Sequence, residues 1–210
     1  MLLEHFPTVR DLLIIRHGQS EWNLERRWQG WKDAPLTELG VQQARERAAS
    51  LADSGFRPVV VHSSDLGRAR QTAEIVADAL GVPLRLDDGF RERSGGDWEG
   101  HTAAEIDQLW PGMRDAWRRG EIHCPPGGET DDVVLERFDA ALARTRADGL
   151  PGVVVTHGGA LRLIATRAGV AIDELMPNLG GYWFDLDGAG LADPERITPL
   201  DAPTDVPATE

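Results

Sequence analysis

The chain has 210 residues, 41% of them hydrophobic and 27% charged, with 22 basic against 35 acidic side chains and a formal charge of −13. That length can bury a core for one large domain or two small ones, and no stretch approaches the ~20 apolar residues of a membrane span. Excess acid speaks against nucleic-acid partners, whose phosphates are bound by excess positive charge, and as a bare sum it predicts a protein that repels anions.

Taken in chain order, the start (MLLEHFPTVR) carries Glu4 and Pro7 with no long apolar core, so it is not expected to be a signal peptide. Residues 12–15 (LLII) read as a strand buried on both faces. Thr37 is expected to cap a helix with the apolar face Val41, Ala44, Ala48 and Leu51. Residues 59–61 (VVV) are a second buried strand. The following helix carries Ala69, Ala73, Val76 and Leu80, with Asp65 as its expected N-cap and Gly81 beyond its end. Residues 92–129 read as an insertion over the sheet and the active site. A third helix with Val134, Phe138, Ala141 and Leu142 follows the acidic start Thr130-Asp131-Asp132. Residues 153–155 (VVV) form another buried strand, succeeded by a helix from near Gly159 to Gly169. A late strand is expected at 182–186 (YWFDL). The order predicts an α/β fold, a three-layer α/β/α sandwich with a mostly parallel central sheet. The expected organisation is a single domain over 1–186 and an irregular tail over 187–210, where six acids and one arginine leave a net −5.

Chemistry collects where three of these strands end. The first runs into Arg16-His17-Gly18, the second into His62-Ser63-Ser64-Asp65 and a helix bearing Arg68, and the third into Thr156-His157-Gly158-Gly159. Ligands of open α/β sheets bind beyond the carboxyl ends of the strands, so two histidines and two arginines are directed to one crevice. Arginine forks bind phosphate bidentately, a neutral imidazole can attack phosphorus, and adjacent glycines let groups approach the backbone. His62 still sits in its strand and is expected to be structural, whereas His5, His101 and His123 are expected on the surface. Lone Cys124 excludes an internal disulfide and most cysteine metal sites. No His-Glu-x-x-His helix occurs, and arginines beside the histidines oppose a cation, so neither metal nor cofactor is expected.

Residues 13–23 (LIIRHGQSEWN) closely resemble the signature of the histidine phosphatase, or phosphoglycerate mutase-like, superfamily. The resemblance continues through Gln29-Gly30, Asp33 and residues 35–40 (PLTELG), then 63–73 (SSDLGRARQTA), Arg91-Glu92, 96–100 (GDWEG), 126–130 (PGGET) and 155–159 (VTHGG). It implies that His17 is the nucleophile and becomes phosphohistidine. It also implies that Arg16, Arg68 and His157 surround the phosphoryl oxygens, and that Glu92 is the acid that protonates the leaving oxygen and then activates water. Substrate binding would fall to Arg16, Asn23, Gln29, Gly30, Arg68 and Gly158. Trp22, Trp28 and Trp31 either rim the pocket or pack beneath it.

In the acid segment Arg91-Glu92-Arg93-Ser94-Gly95-Gly96, a Ser-Gly pair replaces a commonly apolar position. The Asn-Glu-Arg-His-Tyr-Gly segment of the cofactor-dependent mutases is missing. The resemblance therefore favours the phosphatase branch, with a segment similar to those of broad-range phosphomonoesterases and of bacterial phosphatases acting on glucosyl-3-phosphoglycerate. It implies a cytoplasmic phosphomonoesterase for a small phosphorylated substrate of phosphoglycerate or sugar-phosphate type. Mutase-type transfer is the alternative among enzymes. A catalytically silent phospho-ligand-binding protein is the alternative of another class, opposed by the presence of His17, Glu92 and both arginines. Nucleic-acid and membrane partners are not expected, and a homodimer is only a prior for the fold.

Overall fold

The computed structural model describes residues 11–171, 176–187 and 190–197. Four strands, β1 (Leu12–Arg16), β2 (Val60–Ser63), β3 (Leu84–Leu86) and β4 (Gly152–Thr156), run parallel; β5 (Gly181–Asp187) runs antiparallel to β1, and β6 (Gly190–Ile197) antiparallel to β5. Their order is β3-β2-β4-β1-β5-β6. The helices after β1 are α1 (Glu21–Leu24), α2 (Glu38–Asp53) and α3 (Gly67–Leu80); then come α4 (Ala103–Leu109), α5 (Met113–Arg118), α6 (Asp131–Asp148) and α7 (Gly158–Arg167).

Successive side chains of a strand point to opposite faces, and β1 divides accordingly. Leu13 and Ile15 join Ala48 and Leu51 of α2 and Ala69, Ala73 and Val76 of α3, while Leu12 and Ile14 join Phe138 of α6 and Leu161 and Ile164 of α7. The outcome is the expected three-layer sandwich, with α2 and α3 on one face and α6 and α7 on the other. β1 and β4, buried on both faces, pair in register Arg16↔Thr156, so His17 and His157 emerge side by side at the same edge.

Several expectations are corrected. Val59 is 46% exposed and precedes β2, which instead continues through His62 and Ser63. Asp65 does not cap α3. Leu66 occupies the N-cap with no side-chain bond, and the Asp33 carboxylate, distant in sequence, accepts from Gly67 N and from Arg68 N at 3.4 Å. Asp65 is instead taken by Arg91, whose Nε lies 2.7 Å from Oδ1. The tail expected to be irregular contains β6, held by its ladder to β5. Residues 198–210, like His5, lie outside the described residues. Thr37, Gly81 at φ +68° and Gly169 at φ +90° punctuate their helices as expected.

Candidate active site

His17 and His157 follow β1 and β4 directly, and their rings meet edge to face with centroids 5.1 Å apart. His17 N donates to Thr156 O at 3.0 Å, and Asn178 Nδ2 donates to His17 O at 2.9 Å, fixing the backbone on both sides. The ring is 2% exposed, and its Nδ1 lies 2.6 Å from Gly18 O. A carbonyl only accepts, so Nδ1 carries the proton and the Nε2 lone pair is free. Burial, then the Arg68 and Arg16 charges, push the His17 pKa well below its ordinary value, which keeps the imidazole neutral. His157, fully buried, is lowered by burial and then by Arg68, His17, Arg137 and Arg16.

Arg68, 1% exposed in the first turn of α3, is held on one side by carbonyls and a carboxylate. Nη2 donates to Gly30 O at 2.8 Å, and Nη1 donates to Lys32 O at 3.0 Å and Asp33 Oδ1 at 3.1 Å. Arg16 Nη1 donates to Met176 O at 2.7 Å. Burial lowers Arg16 to about 10, with the Glu92 carboxylate raising it and Arg68 lowering it, so it remains a cation at neutrality. Among the described residues, Arg16 Nε, Arg68 Nε and both ring nitrogens of His157 are buried without a hydrogen-bond partner. Such orphans are costly in an interior, and the two Nε–H groups with the one N–H of a neutral His157 ring are three donors that ask for a shared acceptor.

Glu92 lies at the N-terminus of α7. Its Oε2 accepts from Gly159 N at 2.9 Å; its Oε1 accepts from Ala160 N at 2.8 Å and from Arg93 N at 2.9 Å. The paired glycines are explained here. A Cβ on Gly159 would stand 2.6 Å from Glu92 Oε1, and one on Gly158 would stand 3.3 Å from Arg16 Nε. Gly18 serves packing instead, since its Cβ would meet Gly40 O at 2.5 Å. Arg137 of α6 fixes the main chain around Glu92, donating to the carbonyls of Gly89 at 2.9 Å, Arg91 at 2.7 Å and Glu92 at 2.8 Å while paired with Glu129.

The remaining expected binding residues divide. Asn23 Oδ1 accepts from Ser20 N at 3.1 Å in a capping box, leaving its amide nitrogen as the donor. Buried Gln29 accepts from Ser20 Oγ at 2.8 Å through Oε1. Gly30 has φ +51°, and a Cβ there would stand 2.1 Å from Glu99 Oε1, so it is a glycine for conformation and close packing. What it contributes is the carbonyl that holds Arg68.

Sequence reasoning assigned no individual role to Asp33, Asn178, Arg137 or Glu99. Buried Glu99 instead ties two loops together. It accepts from Trp31 N and Gly95 N at 2.9 Å each and from Lys32 N at 3.1 Å. Trp28 packs edge-on to Trp98 and Trp117 beneath the site, with centroids 5.2 and 5.4 Å away. Trp31 stays at the rim, its Nε1 donating to Glu92 O at 2.8 Å. His62 is structural, buried beside Phe90 with Nε2 3.5 Å from Asp148. His101 is half-buried against Trp110, not a surface residue. No group of three or more His, Cys, Asp or Glu side chains able to hold a metal ion occurs among the described residues. No helix among them is long and apolar enough to cross a membrane.

The buried histidines set a pH dependence of stability. The pKa of His17, His157 and His62 is lowered chiefly by burial, so below about 6.5 the unfolded chain binds protons that the native state refuses. Their contribution is intact above that pH and declines as pH falls below it, at about 1.4 kcal/mol per pH unit for each proton withheld. Urea unfolding from pH 7.5 to 5 should show this decline, well above the range in which Asp65 and Asp87, lowered from 3.8, begin to titrate. A stability flat from pH 7 to 5 would contradict neutral burial.

Comparison with known proteins agrees with this geometry. Residues 12–180 match the family described as Histidine phosphatase superfamily (branch 1). Glucosyl-3-phosphoglycerate phosphatase of Mycolicibacterium vanbaalenii is 37% identical over 202 residues, covering 88% of this chain and 87% of its own length. A 2,3-bisphosphoglycerate-dependent phosphoglycerate mutase of Nitrobacter hamburgensis is 35% identical over 176 residues, covering 80% of this chain and 83% of its own. A solved structure of mycobacterial glucosyl-3-phosphoglycerate phosphatase with VO3 is similar with a TM-score of 0.78 at 31% identity, over 91% of this chain and all of that one. Bacillus stearothermophilus YhfR is similar with a TM-score of 0.80 at 30% identity, over 91% of this chain and 98% of its own.

Proposed function

The chain belongs to the histidine phosphatase superfamily, branch 1, and from that premise we propose that it is a metal-independent phosphomonoesterase of the cytoplasm, hydrolysing small phosphorylated metabolites through phosphohistidine. The observation that carries the reading is the set of buried orphans, Arg16 Nε, Arg68 Nε and the His157 ring, beside an imidazole whose Nε2 is free. A phosphoryl group supplies the acceptors that the two Nε–H groups and the His157 N–H lack, and the electrophile His17 requires.

In the first half-reaction Nε2 of His17 forms a bond to phosphorus as the bond to the ester oxygen breaks, and Glu92 gives its proton to that oxygen. In the second, Glu92 takes a proton from water, whose oxygen attacks phosphorus as the P–Nε2 bond breaks. Phosphate leaves and Glu92 is again protonated. The arginines and His157 stabilise the charge on the equatorial oxygens in both steps. A carboxylate has about four acceptor positions; Oε1 uses two and Oε2 one, which makes Oε2 the oxygen for proton exchange.

An acidic exterior around this recess suits a small dianion over a phosphate polymer. Relatives named as phosphatases and as a mutase cover similar shares of the chain, so transfer to a second hydroxyl is the competing reading. The deciding experiment follows phosphate release from a panel of sugar phosphates and phosphoglycerates beside interconversion of 3- and 2-phosphoglycerate, with and without chelator. Release that exceeds interconversion and is indifferent to chelator is expected. Interconversion faster than release selects the mutase, and loss in chelator restored by zinc or magnesium ends the metal-independent mechanism.

A further inference from the structure

Trp31 is exposed yet fixed. It shows 41% of its surface, while Nε1 donates to Glu92 O at 2.8 Å and its backbone N to Glu99 Oε1 at 2.9 Å. The Arg91 guanidinium, itself paired with Asp65, lies over the ring 5.0 Å from its centroid. A lone exposed apolar residue needs no explanation. An indole held by one ring hydrogen bond and a cation, on a backbone itself tied to Glu99, has already lost the freedom that binding would otherwise remove, and such a ring is a low-cost contact surface. Its location gives that surface a purpose. The preceding residue, Gly30, holds Arg68, which faces the phosphoryl group, while the indole itself is bonded to the main chain of Glu92, whose carboxyl serves the leaving oxygen. A leaving group on that oxygen sits beside Glu92, the residue whose main chain anchors the ring.

Resting on the phosphatase reading, we propose that Trp31 is a leaving-group platform, selecting phosphomonoesters whose alcohol presents a ring face, such as hexopyranose phosphates, over acyclic ones. Arg91 and Glu99 act as positioning residues that hold the ring in place.

The test uses glucose 6-phosphate and glycerol 3-phosphate, both esters of primary alcohols, so that proton demand at Glu92 is matched. In Trp31→Ala, KM for glucose 6-phosphate should rise by about tenfold and that for glycerol 3-phosphate by less than about twofold, as expected for lost ring contact without lost chemistry. Trp31→Phe keeps a ring without the N–H and should retain the preference for glucose 6-phosphate, and inhibition by inorganic phosphate should be unchanged in both variants. Equal losses on the two substrates, a preference lost equally in the Phe variant, or no change in either variant overturns the platform. A wild type active on glycerol 3-phosphate but not on glucose 6-phosphate also overturns it and leaves the phosphatase reading standing. Phosphate release from neither, nor from p-nitrophenyl phosphate, overturns that reading as well.

Discussion

His17→Ala should eliminate phosphate release from p-nitrophenyl phosphate, lowering kcat by roughly four to six orders of magnitude, as loss of a covalent nucleophile does elsewhere. The fold should survive. The ring contacts His157 and Gly18 O, while the main-chain bonds to Thr156 and Asn178 do not involve it. Removing an imidazole of lowered pKa from the interior also removes part of the proton-linked destabilisation in mild acid. The variant should therefore keep the wild-type circular dichroism and bind inorganic phosphate through Arg16, Arg68 and His157. Phosphate release within tenfold of wild type would exclude His17 as nucleophile.

Glu92→Gln should separate the two half-reactions. The amide cannot deliver or accept the catalytic proton, and loss of general acid–base help costs about 10²- to 10⁴-fold. The cost depends on the leaving group. p-Nitrophenolate departs without a proton, so the enzyme can still be phosphorylated by its ester, whereas an alkyl phosphate stalls at the first step. Water must then attack without a base, and phosphohistidine should accumulate. Acid-labile label retained on the protein, with an initial burst of nitrophenol equal to the enzyme present, is the expected result. The carboxamide oxygen can keep one of the bonds at the start of α7, but its NH2 group faces one or more of the N–H donors of Arg93, Gly159 and Ala160. Some loss of thermal stability should accompany the change. Equal retardation of aryl and alkyl esters with no retained label would remove Glu92 from proton transfer.

The core of the sheet and the reactive ends of its strands were legible because they are local. Residues 12–15 and 153–155 are unbroken aliphatic runs with a histidine two residues beyond each, the pattern of a strand buried on both faces that opens on a polar crevice. What escaped depends on partners remote in sequence. Strand β6 reads GLADPERI, with Pro194 inside it and no alternation; it exists through pairing with β5, and its place at the sheet edge tolerates the proline. Asp65 has the right local position to cap α3, but Arg91 claims it, and Asp33 supplies both the cap and a partner for Arg68. Glu99 has the composition of any solvated loop acid; only the approach of residues 30–32 to residues 94–99 converts it into a buried tie.

The indoles of Trp28, Trp98 and Trp117 lie with ring centroids 5.2–6.0 Å apart at interplanar angles of 69–89°. Two belong to the segment after Glu92 and one to the loop that follows α1. The transitions of Trp28 couple to those of Trp98 and Trp117 only while those segments are docked, since the coupling falls steeply with distance. The near-ultraviolet dichroism of this protein therefore carries a spectroscopic record of whether the 92–129 segment is seated on the loop that bears Trp28. It offers a built-in reporter for any ligand that loosens or tightens that seat.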